Sequence, residues 1–225
     1  MIKYILFFAI VVAIFCLIVR KVRTINKKNI NTSKVDFLIN HQFNYVFGLP
    51  GSGKSTLLAA VAQCAYEQGI PCFSSFPIRH AYKFQGFTTG YPVGSIFLLD
   101  EIYDYVGSGT NRGIPEKEVT MFFKEFRHSK YTIWACSQEA DDVARRVRGV
   151  VTQSYALKNR GNTTILMNAQ ITEVKNEDGE KFILKTPSPF IGFFTDMRLY
   201  RPDFYDDFDS YCRNSYKVFA NFESW

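Results

Sequence analysis

Gly48, Leu49, Pro50, Gly51, Ser52, Gly53, Lys54 and Ser55 follow the spacing G-x-x-x-x-G-K-[ST]. Those residue types in that order suit one task, the cradling of a chain of phosphates. Glycines let successive backbone N–H groups turn inward around phosphate oxygens, and a helix starting at Lys54 adds the positive end of its dipole. Lys54 is then placed to reach the β- and γ-phosphates, Ser55 to ligate Mg²⁺, and Thr56 to lie near the α-phosphate. Such a site needs a carboxylate for the metal at the end of a buried strand. The run IFLLDE supplies it as Asp100, and Glu101 beside it is positioned to polarise an attacking water. Gln138 ends a second apolar run, TIWACSQ, where it is a candidate contact to the γ-phosphate or to that water. A cation supplied across a subunit interface can stabilise transition-state charge. Arg127 and Arg112 are both candidates for it, whereas Arg145, Arg146 and Arg148 suit the C-terminal end of a helix whose start carries Asp141 and Asp142.

These groups must be held by elements of the right kind. The phosphate loop lies between a short β run ending at Gly48 and a helical pattern from Lys54 to Gln68, which Gly69 and Pro71 stop. CFSSFP reads as a strand, and SIFLLDE as a strand buried on both faces of a parallel sheet. Pro115 opens a helix whose Val119, Phe122, Phe123 and Phe126 recur at i, i+3, i+4 and i+7. The strand YTIWACSQ and a short helix over residues 141–148 follow. Strand and helix in this rhythm predict an α/β domain with a mainly parallel sheet flanked by helices. VVTQSYALK, TTILMNAQITEV and KFILKTP, separated by the turn signals NRGN and NEDGE, add C-terminal antiparallel β hairpins.

The composition agrees with one globular domain: 225 residues, 47% hydrophobic and 21% charged, far from the profile of a disordered chain. The formal charge of +6 has a location. Lys3, Arg20, Lys21, Arg23, Lys27 and Lys28 meet no acid in the first 28 residues, and the remainder balances. The excess therefore points to an anionic membrane surface and not, by itself, to DNA. YILFFAIVVAIFCLIV, residues 4–19, is apolar throughout. With Ile2 and a snorkelling Lys3 it reaches the length of a transmembrane helix. Its basic flank follows the apolar run and no A-x-A-like site appears, which speaks against a secretory signal. That flank predicts a single pass with the body on the cytoplasmic side. Five scattered cysteines with no C-x-x-C pair suggest reduced core thiols and exclude a zinc ribbon. The expected division is a transmembrane anchor over 1–20, a basic tether over 21–40, a nucleotide-binding core over 41–160, and a β extension with an aromatic, acidic tail over 161–225.

GLPGSGKS, LLDEIYDYVGSGTNR, FRHSKYTIWACSQ and DDVARRVR, in this order and context, resemble the zonula occludens toxin-like (Zot) family, which includes the gene I assembly proteins of filamentous phages. The resemblance covers about residues 40–160. It implies a P-loop NTPase of the FtsK/HerA-like group in the bacterial inner membrane, using ATP and Mg²⁺ to drive assembly and extrusion of a single-stranded DNA phage. It further implies a homo-oligomeric ring, with a hexamer as the expected size, and the phage DNA–protein complex and other assembly proteins as partners. Family roles carry over to Lys54, Ser55, Asp100 and Glu101, and less directly to Gln138 and Arg127. One departure is plain: familiar members place the membrane segment after the ATPase domain, and here it comes first. A cellular or plasmid DNA-translocating ATPase, and a membrane-bound nucleotide-binding scaffold with little turnover, are the alternative readings.

Overall fold

The computed structural model describes residues 2–30, 33–87, 90–106, 116–138, 149–176, 179–188, 192 and 195–208. Helix α1 (Ile2–Val22) leads into strand β1 (Thr24–Ile25) and two 3-10 segments (Lys27–Asn29 and Ser33–Ile39). Next come β2 (Phe43–Phe47), α2 (Lys54–Glu67), β3 (Cys72–Ser74), β4 (Tyr82–Lys83), β5 (Ile96–Leu99), α3 (Tyr103–Val106), α4 (Glu116–Glu125) and β6 (Thr132–Ser137). The chain then runs through β7 (Gln153–Arg160), β8 (Thr163–Asn176), β9 (Gly179–Lys185), β10 (Met197–Tyr200) and a 3-10 helix (Arg201–Asp207).

The strands pair in the order β1-β10-β8-β7-β2-β6-β5-β3-β4, with β9 added to β8. From β7 to β4 every pairing is parallel. Strand β8 turns back antiparallel to β7, and β10 lies antiparallel to β8. Because parallel pairing requires crossovers that cover both faces of the sheet, its central strands have no solvent side. Every residue of β2, β5 and β6 is buried. On one face Val46, Leu98, Trp134 and Cys136 pack with Leu57, Leu58 and Val61 of α2. On the other, Tyr45, Phe47, Phe97, Leu99 and Ile133 meet Val119, Phe122, Phe123 and Phe126, the apolar stripe expected from the heptad-like spacing. Cys64, Cys72 and Cys136 are buried and free. Desolvation pushes the Cys64 thiol up to about 11 and raises the other two as well, so these thiols are packing groups.

The N-terminal segment departs from expectation in two ways. Within the stretch read as a tether over 21–40, residues 24–30 and 33–39 belong to the folded body. Thr24 and Ile25 pair in parallel with Arg198 and Leu199, Asn26 and Asn29 form a reciprocal capping box, and Ile25, Ile30 and Leu38 enter the core. Trp134 Nε1 donates to the Leu38 carbonyl at 2.8 Å. Average polarity concealed three well-spaced apolar side chains, each of which contributes about 1.5–3 kcal/mol on burial. Secondly, among the described residues no helix is long and apolar enough to cross a membrane. The transmembrane expectation for residues 1–20 is therefore not supported. The uninterrupted apolar run spans 16 residues of the sequence, residues 4–19, and at about 1.5 Å each falls short of a hydrocarbon core about 30 Å thick. Its side chains are nevertheless exposed, Tyr4, Phe7, Phe8, Ile14, Phe15 and Leu17 among them.

The C-terminal hairpin is likewise continuous with the core. Strand β7 adds directly to the edge of β2, so a boundary after residue 160 falls at the end of β7 and cuts the β7–β8 hairpin. The expected helix over 141–148 and the tail beyond residue 208 lie outside the described residues.

Candidate active site

The loop after β2 has the backbone that its glycines were expected to allow. Gly51 and Gly53 sit at φ +76° and +99°, a left-handed region costly to residues with a Cβ. Gly53 is the N-cap of α2 and offers no side-chain cap, so the first N–H groups of that helix stay open to an anion. Inside the loop the Ser52 hydroxyl is shielded from solvent and has no partner among the described residues. A Cβ at Gly48 would come within 2.5 Å of it, so the glycine keeps this cradle open.

Lys54 is 8% exposed. Its Nζ donates to the Gly48 carbonyl at 2.8 Å, and among the described residues no carboxylate lies within ion-pair distance of it. Its hydrogen bond goes to a neutral carbonyl and the Asp100 charge acts on it only from beyond ion-pair distance, so a phosphate oxygen would compensate this buried ammonium better.

Strand β5 delivers Asp100 beside it, two strands away across the sheet, with β6 between β5 and β2. Asp100 is anchored by its own N–H donating to Ser75 Oγ at 2.9 Å, and its Oδ2 accepts from Ser55 Oγ at 3.3 Å. Desolvation raises the Asp100 carboxyl above its usual range, as does the Glu101 charge; Lys54, the Glu101 N–H and Ser55 oppose this. Glu101 takes φ +49°, a strained value for a side chain of its size. Its N–H donates to Asp100 Oδ1 at 3.1 Å, and the next N–H, of Ile102, donates to the Cys136 carbonyl at 2.9 Å. That turn points the Glu101 carboxylate at Gln138, whose Nε2 donates to Oε1 at 3.3 Å. Lys54, Ser55, Asp100, Glu101 and Gln138 thus converge from α2, β5 and β6.

A parallel sheet with the phosphate loop after β2, the acidic pair after β5 and a polar strand end between them settles the class. The fold is that of a P-loop NTPase.

Comparison with solved structures gives likenesses at low identity. The N-terminal domain of zonular occludens toxin from Neisseria meningitidis matches at 16% identity and TM-score 0.46, covering 65% of this chain and 93% of that one. The genome packaging NTPase B204 from Sulfolobus turreted icosahedral virus 2, in complex with ATP-gammaS, matches at 9% and 0.44 over 67% and 98%. Flagellar accessory protein FlaH from Methanocaldococcus jannaschii matches at 12% and 0.41 over 69% and 98%. No family model and no curated protein matches the sequence. With identities and TM-scores this low, the nucleotide site stands on its own geometry.

The arginines are a different matter. Arg127 lies two residues beyond the end of α4, exposed, with its guanidinium 5.7 Å from the centre of the Phe126 ring and no contact to the phosphate loop. Arg112, Arg145, Arg146 and Arg148 fall outside the described residues. Sequence reasoning also missed the groups that touch the loop from outside: Asn159 on β7, Thr164 on β8 and Arg201 just after β10. No local spacing signals them, since Thr164 is 112 residues from the Ser52 carbonyl it binds.

Mg²⁺ fits the donor set in one mode only. Among the described residues no cluster of three or more His, Cys, Asp or Glu could hold a metal. A hydroxyl and a carboxylate 3.3 Å apart match the hard-oxygen pair by which Mg²⁺ is shared between protein, phosphates and water.

Proposed function

We propose that the chain is an ATP hydrolase that works at a membrane surface to drive assembly and extrusion of a filamentous single-stranded DNA phage. The observation that supports the chemistry best is Lys54, a buried cation with no carboxylate partner among the described residues, at the mouth of an inward-turned loop beside Ser55, Asp100 and Glu101. ATP with Mg²⁺ supplies the phosphoanhydride bond and a charge-neutralising cation.

The chain's own part is positional. Lys54 exchanges the Gly48 carbonyl for a phosphate oxygen, and the open N–H groups of Gly53 and α2 receive the rest of the anion. Ser55 Oγ and the Asp100 carboxylate would hold the metal. Glu101 accepts a proton from the attacking water at a carboxylate oxygen, while Gln138 fixes the direction of that carboxylate. The exposure of Arg127 away from its own phosphate loop is compatible with a contribution to a neighbouring copy in a ring.

The exposed apolar face of α1 needs cover, and the basic residues Arg20, Lys21, Arg23, Lys27 and Lys28 behind it suit an anionic inner-membrane surface on the cytoplasmic side. The motif stretches LLDEIYDYVGSGTNR and FRHSKYTIWACSQ support the phage role.

Calorimetric titration of the full chain with ATP and Mg²⁺ tests the site. Saturable binding that Lys54→Ala weakens by at least tenfold supports it; equal binding by the two proteins removes Lys54 from the site and the hydrolase with it.

A further inference from the structure

A loop that turns its N–H groups inward turns carbonyls outward, and these need donors of their own. The donors come from the far end of the chain. Thr164 Oγ1 donates to the Ser52 carbonyl at 2.8 Å, and Asn159 Nδ2 to the Gly51 carbonyl at 3.2 Å. Arg201 Nη1 donates to that same Gly51 oxygen at 3.2 Å. Its Nη2 serves Asn159 Oδ1 at 3.1 Å and the Gly161 carbonyl. The root of Arg201 is fixed as well: its N–H donates to the Asn162 carbonyl at 2.9 Å, and Tyr200 before it pairs with Thr163 across β10 and β8. The hairpin presses so closely on the loop that a Cβ at Gly53 would collide with Thr164 Oγ1.

We propose that Arg201, with Asn159 and Thr164, forms a positioning set that holds the phosphate loop in its anion-receiving shape. The idea rests on the nucleotide reading above. A Gly-rich loop loses more backbone freedom on ordering than any other, and a loop ordered beforehand does not lose it again when phosphate binds. Arg201 is suited to this because a planar fork of donors can serve Gly51, Asn159 and Gly161 together, whereas the point charge of Lys cannot. The set touches the loop's outer carbonyls and not the γ-phosphate end in particular. Its loss should therefore weaken diphosphate and triphosphate binding alike.

The test is titration of the full chain with ATP and, separately, ADP, each with Mg²⁺, alongside steady-state hydrolysis. Arg201→Gln and Arg201→Lys should each weaken both nucleotides by a common factor of roughly tenfold, raising KM while leaving kcat within about twofold. Thr164→Val should act in the same direction by a few-fold, and Thr164→Ser, which keeps the hydroxyl, should restore binding. If Arg201→Gln does not fold, the Thr164 pair decides alone. Unchanged affinity in Arg201→Gln, or in Thr164→Val, overturns the positioning set. A loss confined to ATP also overturns it, since that would mark a direct γ-phosphate contact. Failure of the wild-type chain to bind either nucleotide refutes the nucleotide reading itself, a result distinct from all of these.

Discussion

Glu101→Gln separates the base from everything around it. The amide has the length of the carboxylate, and its oxygen still accepts from Gln138 Nε2, a contact of 3.3 Å in the wild type. The N–H of residue 101 to Asp100 Oδ1 and the N–H of Ile102 to Cys136 are main-chain donors and survive. Only the proton acceptor and one negative charge are lost. General-base catalysis is worth about 10²–10⁴-fold, or roughly 3–5 kcal/mol of barrier at about 1.4 kcal/mol per decade. We therefore expect kcat to fall by that factor with KM little changed. The lost charge has a second effect. Glu101 is one of the causes that raise the Asp100 carboxyl, after desolvation. Without it Asp100 ionises at lower pH, so Mg²⁺-dependent ATP binding, which needs the carboxylate, should persist to more acidic pH in the variant. Between its unfolded value and its raised folded one, Asp100 holds more proton in the folded state, so nucleotide-free stability falls as pH rises through that window. The fall should be smaller in Glu101→Gln. Steady-state hydrolysis, titration calorimetry and thermal unfolding from about pH 4 to 8 read all three effects. A kcat within threefold of wild type refutes Glu101 as the base, and an unmoved pH profile of Mg²⁺-ATP binding refutes its coupling to Asp100.

Removal of residues 1–23 should leave a cooperative body, whereas removal of 1–39 deletes β1 and the buried Ile25, Ile30 and Leu38. The second truncation should cost on the order of 6 kcal/mol by the burial of those side chains, comparable with a whole domain's stability; equal denaturant midpoints would contradict the docking of this segment. Asp207, nearly inaccessible, pairs with Lys27 at 2.7 Å and Arg79 at 3.6 Å. Asp207→Ala should lower stability by about 2 kcal/mol, the loss being moderated because Lys27 can reach water; chemical denaturation checks it. Arg127→Ala should lower turnover with nucleotide affinity unchanged, and mixing with a Lys54→Ala chain should restore part of the activity. Activity that no mixture restores would remove the trans arginine.

The phosphate loop was legible because its information is local. Two left-handed backbone positions, a Lys and a Ser must follow one another at one strand–helix junction, and Gly51, Gly53, Lys54 and Ser55 do. Asp100, Glu101 and Gln138 were legible for a related reason: each ends an apolar run buried on both faces, so its place at one edge of the sheet follows from strand polarity. Only the tertiary structure decided what surrounds them. Strand order puts β7 against β2, which carries Asn159, Thr164 and Arg201 to a loop more than a hundred residues earlier. It also inserts β10 between β8 and β1, so that a segment polar on average becomes a strand of the same sheet. Periodicity reports which side of an element is apolar, whereas contacts between distant segments depend on which edge each strand joins. That choice is made by packing across the whole chain, and a short window of sequence does not contain it.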